Sequence, residues 1–159
     1  MTKPLSADVA RYCDRILRVA EIHDYDRASN GLQVENRGPI SRIAAAVDAS
    51  LATVRLAIEA RANLLLVHHG LFWGPSHPWT GKRYELLRLL LDHNLAVYSS
   101  HLPLDLHPRL GNNARLCELL GLKRRKPFFV SHGQPIGYQA RTTVSRNELA
   151  ARLSGTGWR

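Results

Sequence analysis

Leu64-Leu65-Leu66-Val67-His68-His69-Gly70 is the stretch on which the fold reading turns. Four consecutive apolar residues, 64–67, predict a short strand covered on both faces, as in parallel sheets. Upstream, Ile43 to Asp48 is a second short apolar piece, followed by a helical stretch 51–61 with Ser50 as its cap. Downstream come a helix over 82–93, a buried strand over 95–99 and a helix over 113–120, with Asn112 as N-cap and Gly121 as C-cap. Strand and helix alternate three times. That order predicts an α/β fold with a mostly parallel or mixed sheet flanked by helices.

The flanks extend this picture. Val9, Tyr12, Cys13, Ile16, Leu17 and Ala20 recur at spacings of three and four, which predicts a helix over 7–20 with Ser6 as N-cap. A polar turn follows and ends near Asn30-Gly31. Residues 128–130 and 136–140 read as strands around a Gly133 turn, and Ser145 with Glu148 forms a capping box for a last helix over 145–153. No internal repeat or low-complexity segment is visible, and 159 residues are expected to make a single domain.

Composition narrows the class. An apolar fraction of 45% with 22% charged residues is ordinary globular composition and argues against wholesale disorder. No apolar run approaches the roughly 18 residues of a membrane helix, and the start of the chain lacks a secretory apolar stretch. Cys13 and Cys117 are far apart and make no CxxC-type pair. A cytoplasmic location is the expectation. The net charge of +9 is uneven. Lys123, Arg124, Arg125, Lys126, Arg141, Arg146, Arg152 and Arg159 face Glu148 alone, so the last 37 residues carry +7 of it. Such a run is either a phosphate or nucleic-acid surface, or a solvated face whose acidic partner lies elsewhere. No aromatic interleaving accompanies it.

The chemistry gathers at three strand ends. In open α/β sheets, ligands collect at the carboxyl ends of parallel strands. Those ends read Val47-Asp48-Ala49-Ser50, Val67-His68-His69-Gly70 and Ser99-Ser100-His101-Leu102-Pro103-Leu104-Asp105. Parallel neighbours would bring these tips to one edge. Adjacent strand residues point to opposite faces, so His68 and His69 can serve one cavity only where the strand gives way, and Gly70 supplies a break. Phe72 and Trp73 wall the following loop. The alternative is one imidazole in the core and one at the surface; a pair at a strand tip facing another His and an Asp favours a metal. Pro103 argues against a helix between His101 and Asp105, so both are expected in a loop. Asp105 offers a hard oxygen ligand. His101 is either a ligand, a proton donor beside the metal, or a loop imidazole bonded to backbone. A mixed His/carboxylate set leaves positions for water, as hydrolytic sites need. Asp48 with Ser50 is expected to cap a helix. His77, His93, His107 and His132 read as surface residues. Trp73 and Trp79 suit either a pocket for a base or an interface, and no phosphate-cradling glycine loop occurs.

These motifs converge. Asn30-Gly31-Leu32-Gln33-Val34, Val47-Asp48-Ala49-Ser50, Leu66 to Trp73, and His101-Leu102-Pro103-Leu104-Asp105 followed by Gly111-Asn112-Asn113 stand in one order. Over residues 5–153 the chain resembles the Nif-three-like dinuclear-metal-centre family, whose members are often labelled GTP cyclohydrolase 1 type 2 homologues. The resemblance implies an α/β subunit, a toroidal homohexamer, and up to two divalent metal ions per subunit (Zn, Fe, Ni or Mn). By residue match it implies His68, His69 and Asp105 as metal ligands, with His101 in the same pocket; in the hydrolase reading His101 is the catalytic proton shuttle. The implied activity is that of a metal-dependent hydrolase acting on GTP or a related nucleotide. The family pattern also has a C-terminal His with a Glu four residues later. Here the only His beyond His107 is His132, with Ile136 four residues on, and the only later Glu is Glu148, preceded at that spacing by Val144. The expectation is a C-terminally truncated member with partial or single metal occupancy. The competing expectations are a non-catalytic interaction or nucleic-acid-binding protein using Lys123 to Lys126, and a fragment whose open sheet edge favours aggregation.

Overall fold

The computed structural model describes residues 2–75 and 77–155. The chain divides into two compact units, Met1–His101 and Leu102–Arg159.

The first unit is built on a four-stranded sheet. Its elements are α1 (Ser6–Leu17), β1 (Gly31–Val34), β2 (Ile43–Asp48), α2 (Leu51–Glu59), β3 (Leu64–His69), α3 (Lys82–Asp92) and β4 (Ala96–Ser99). The strand order is β1-β4-β3-β2. Strands β2, β3 and β4 run parallel, whereas β1 pairs antiparallel with β4. The sheet is therefore mixed. Its antiparallel edge strand β1 lies in what the sequence presents as the end of a polar turn. Gly31 opens it at φ +104°, a conformation that favours glycine.

Strand β3 shows why the apolar run is continuous. Leu65 and Val67 pack on one face with Val54, Ala57, Leu90, Leu95 and Val97. Leu64, with Leu66 beside it, packs on the other face with Ala10, Ile40, Ala96 and Tyr98. Helices α2 and α3 cover the first face and α1 the second, so every β3 position 64–67 meets an apolar layer. Each Leu side chain so buried is worth about 1.5–3 kcal/mol over leaving it exposed. Tyr98 turns its ring into the second layer and donates its hydroxyl to Asp14 on α1 (2.8 Å). Burial and the Asp14 carboxylate push the Tyr98 phenol up, so it stays neutral.

Several helix ends differ from expectation by a residue. Leu5, not Ser6, is the N-cap of α1, and the Asp8 carboxylate accepts from the Leu5 backbone N–H (2.9 Å). Ser50 caps α2 as expected: its Oγ accepts from the Thr53 N–H (3.2 Å).

The second unit holds α4 (Leu102–Leu106), α5 (Asn112–Leu119), β5 (Lys126–Ser131), β6 (Gln134–Gln139) and α6 (Arg146–Gly155). Residues 102–106 are helical where a loop was expected. Pro103 sits in the first turn, where its missing N–H would have had no helical partner, so proline is tolerated there. Gly111, not Asn112, is the N-cap of α5. Strands β5 and β6 form the expected hairpin. Ser145 Oγ accepts from the Glu148 N–H (3.2 Å) at the start of α6.

Gly111 serves close approach, not unusual backbone. A Cβ there would stand 2.4–2.7 Å from the carbonyl oxygens of Leu104, His107 and Asp105. These are backbone atoms, so α4 would have to move away from α5. Gly111→Ala is expected to destabilise the protein by about 1–3 kcal/mol, read as a lowered urea midpoint at unchanged slope.

Two of the basic residues of this unit act inside it. The Arg125 guanidinium donates to the Ala114 (3.1 Å) and Pro108 (2.6 Å) carbonyls and lies 4.9 Å over the Tyr138 ring. Arg152 donates to the Leu120 carbonyl at the end of α5 and to Glu148 (2.8 Å). Cations at a helix C-terminus meet the negative end of its dipole. No helix among the described residues is long and apolar enough to cross a membrane.

Candidate metal centre

The parallel order of β2, β3 and β4 places the tips Asp48, His69 and Ser99 side by side, as the sequence led one to expect. His68 and His69 both lie within β3, which continues two residues beyond the apolar run. Their rings nevertheless approach, with centroids 4.6 Å apart. The hydrogen bonding suggests how. Pairing of β3 with β4 ends at Val67–Ser99, while pairing with β2 runs on to Asp48–His69. With one ladder released, the strand end is free to twist. Ser99 Oγ donates to the His68 carbonyl (3.2 Å) and Ser100 N–H to the Val67 carbonyl (3.0 Å), so the release is orderly.

His101 follows β4 and is buried at 8% exposure. Its ring centroid lies 4.7 Å from that of His68 and 5.6 Å from that of His69. One ring nitrogen from each of His68, His69 and His101 can be chosen so that all three lie within 4.8 Å of one another. Neutral imidazole nitrogens gathered this closely suit a borderline divalent ion.

Two carboxylates buttress the imidazoles. Asp48 Oδ1 lies 2.6 Å from His69 Nδ1, a contact that follows from the cross-strand register of Asp48 with His69. Ser50 caps α2, as expected for Asp48-Ala49-Ser50, and the Asp48 side chain goes to the histidine. Asp24 Oδ1 lies 2.8 Å from His101 Nδ1. A carboxylate only accepts, so Nδ1 is the donor in each pair and Nε2 is the ring nitrogen that remains for a ligand. This is the outer-shell pattern of histidine metal sites. Burial pushes the Asp24 carboxyl up, but hydrogen bonds from Asn30, His101 and the Tyr25 N–H outweigh it and hold the group below its ordinary range. Asp24 thus enters the site as a carboxylate.

The loop after β3 is pinned from the Asn30-Gly31-Leu32-Gln33 segment. Gln33 Oε1 accepts from the Leu71 N–H (2.6 Å), and its Nε2 donates to the Ser29 carbonyl (2.7 Å). Gly70 makes room for this amide, since a Cβ there would come within 2.4 Å of it. The loop brings Trp73 edge-on to His101 (4.6 Å, 89°) and 5.9 Å from His69. Tyr25 stands 5.7 Å from His101 and 6.5 Å from Trp73. Trp79 packs on Phe72 (6.0 Å).

Asp105 lies on α4 in the second unit, where its Oδ1 accepts from Asn112 Nδ2 (2.8 Å). His107 is half-buried; its Nδ1 accepts from the backbone N–H of Arg109 (3.2 Å) and Leu110 (2.9 Å), a local structural role. Sequence reasoning missed Asp24. Its partner is 77 residues away, and only the closing of β1 onto β4 brings its segment to the His101 tip.

A three-histidine cluster at the ends of the parallel strands of a mixed sheet, with carboxylates behind two of the rings, defines an α/β protein with a candidate histidine metal centre. The chain belongs to the Duf34/NIF3 (NGG1p interacting factor 3) family, whose model matches residues 5–156. It is 47% identical over 135 residues to a GTP cyclohydrolase 1 type 2 homolog of Halobacterium salinarum, covering 82% of this chain and 51% of that protein. A protein of the same name from Treponema pallidum is 48% identical over 123 residues, covering 77% of this chain and 42% of the other. The chain thus spans about half the length of these curated relatives. Among solved structures, TTHA1606 from Thermus thermophilus superposes with a TM-score of 0.84 at 34% identity, over 95% of this chain and 60% of that one. Protein ybgI, described as of unknown function, superposes with a TM-score of 0.80 at 35% identity, over the same shares.

Proposed function

We propose that the chain carries one part of a divalent-metal hydrolase centre acting on a nucleotide-like substrate, with His68, His69 and His101 as ligands and Asp105 as a further oxygen ligand. The observation that carries this reading is the convergence of three imidazoles, two of them fixed by carboxylates with Nε2 left to bind. When bound, a divalent cation supplies Lewis acidity that makes water nucleophilic at neutral pH. The chain's own residues do the rest. Asp48 and Asp24 hold the protons at Nδ1 of His69 and His101. Trp73 and Tyr25, both exposed beside His101, offer aromatic faces to a planar base. His101 has Nδ1 committed to Asp24, so Nε2 is its one atom for either ligation or proton transfer; we assign it to the metal. The names of the relatives support GTP or a related nucleotide as the substrate class. Relatives about twice as long make a second set of ligands from outside residues 1–159 part of the proposal, together with a cytoplasmic homohexamer.

Of the Lys123 to Lys126 run on which the nucleic-acid alternative rests, Arg125 is engaged by the carbonyls of Ala114 and Pro108, whereas Lys123, Arg124 and Lys126 are exposed. The test is hydrolysis of GTP and related nucleotides by this chain joined to the second ligand set that the proposal requires and loaded with Zn²⁺ or Mn²⁺; no turnover in that form would also overturn the reading. Turnover is expected to fall at least about 100-fold on chelation or in Asp105→Ala, as for the loss of a group acting in the transition state. Turnover indifferent to both would overturn the reading.

A further inference from the structure

We propose that Asp24, locked by Asn30, is the positioning residue that sets the tautomer and orientation of His101. The inference rests on the reading of His101 as a metal ligand.

Asp24 and Asn30 lie between α1 and β1, in the turn that leads into Gly31. Asn30 uses its amide twice. Its Nδ2 donates to Asp24 Oδ2 (2.8 Å), and its Oδ1 accepts from the His101 backbone N–H (2.7 Å). Asp24 Oδ1 in turn faces His101 Nδ1 (2.8 Å) and accepts from the Tyr25 N–H (2.7 Å). Asn30, Asp24 and His101 therefore close a ring that fixes both the backbone and the imidazole of His101. The Asp24 and His101 side chains are only 6% and 10% exposed, so water cannot readily replace either partner.

The pair Asp48–His69 is the internal comparison. It has the same Nδ1-to-carboxylate contact, but its side chains are 61% and 46% exposed. Water can stand in for that carboxylate. The two aspartates are therefore expected to differ in effect although they make the same contact.

Asp24→Asn keeps the shape but gives His101 an amide that can donate to Nδ1 and so favour the Nε2–H tautomer. Two readouts decide, both on the full chain. Long-range ¹H–¹⁵N spectra of the metal-free protein are expected to show His101 as Nδ1–H in the wild type and shifted toward Nε2–H in Asp24→Asn. Zn²⁺ affinity, from competition with a chromophoric chelator, is expected to fall about 10–100-fold in Asp24→Asn and less than about tenfold in Asp48→Asn. If Asp24→Asn does not fold, Asn30→Ala removes the anchor while keeping the carboxylate, and is expected to move both readouts the same way. A variant that keeps the Nδ1–H tautomer and binds Zn²⁺ within twofold of wild type would overturn the proposal. A wild type that binds no Zn²⁺ would end the metal reading alone, and the tautomer shift would then decide the positioning role.

Discussion

The paired substitution His68→Ala with His69→Ala is expected to abolish stoichiometric divalent-metal binding while the protein stays folded. Two of the three clustered imidazoles disappear, and the one imidazole and one carboxylate that remain of the proposed set are too few to hold a dication stoichiometrically against bulk water. The loss in Zn²⁺ affinity should exceed the roughly 10–100-fold that follows removal of an outer-shell partner. The fold should survive because His69 is exposed and His68 half-buried, both beyond the apolar run that packs the core. Circular dichroism and the thermal midpoint in the absence of metal should stay near wild type. Added Zn²⁺ should raise the midpoint of the wild type and not of the variant, because a ligand that binds only the folded state stabilises it by mass action. A variant that still gains stability from Zn²⁺ would place the metal elsewhere.

Leu65→Ala is expected to produce the largest loss of stability from a single core change. Leu65 is 1% exposed on β3, between β2 and β4, with Ala44 and Val97 as its register partners. It packs in the layer that includes Val54, Leu90 and Leu95. Cutting it to Ala removes apolar burial and leaves a cavity that neighbours on both sides hold open, a loss of about 2–5 kcal/mol. The thermal midpoint should drop by roughly 10 °C. Leu65→Met, which nearly conserves volume, should lose less than about 1.5 kcal/mol. Equal effects from the two substitutions would mean that this layer is loosely packed.

The fold was legible where one physical signal dominated. The run Leu64 to Val67 is apolar because both faces of β3 are covered, and with the alternation of strands and helices it implies a mostly parallel or mixed sheet flanked by helices. The pairing of His68 with His69 was visible as well, since Gly70 marks the strand's end. The β1 strand was harder to see. It is four residues long and antiparallel at the sheet edge, and its first residue is a glycine with a positive φ that reads as a turn. The helix after His101 is hidden in the sequence because Pro103 reads as a breaker, although a first-turn proline breaks nothing. The carboxylates behind the histidines divide in the same way. Asp48 could have been found by aligning the parallel tips, because it lies opposite His69 in the β2–β3 register. Asp24 could not, because its contact depends on tertiary closure over 77 residues.

The most direct test of the account is metal content. Untagged protein, dialysed against Zn²⁺ and then against metal-free buffer, would be analysed by elemental methods beside the His68→Ala/His69→Ala variant. The account expects up to one zinc per chain in the wild type, retained through dialysis, and none in the variant. A wild type without zinc, or a variant that keeps it, would contradict the claim that these three histidines form a metal centre.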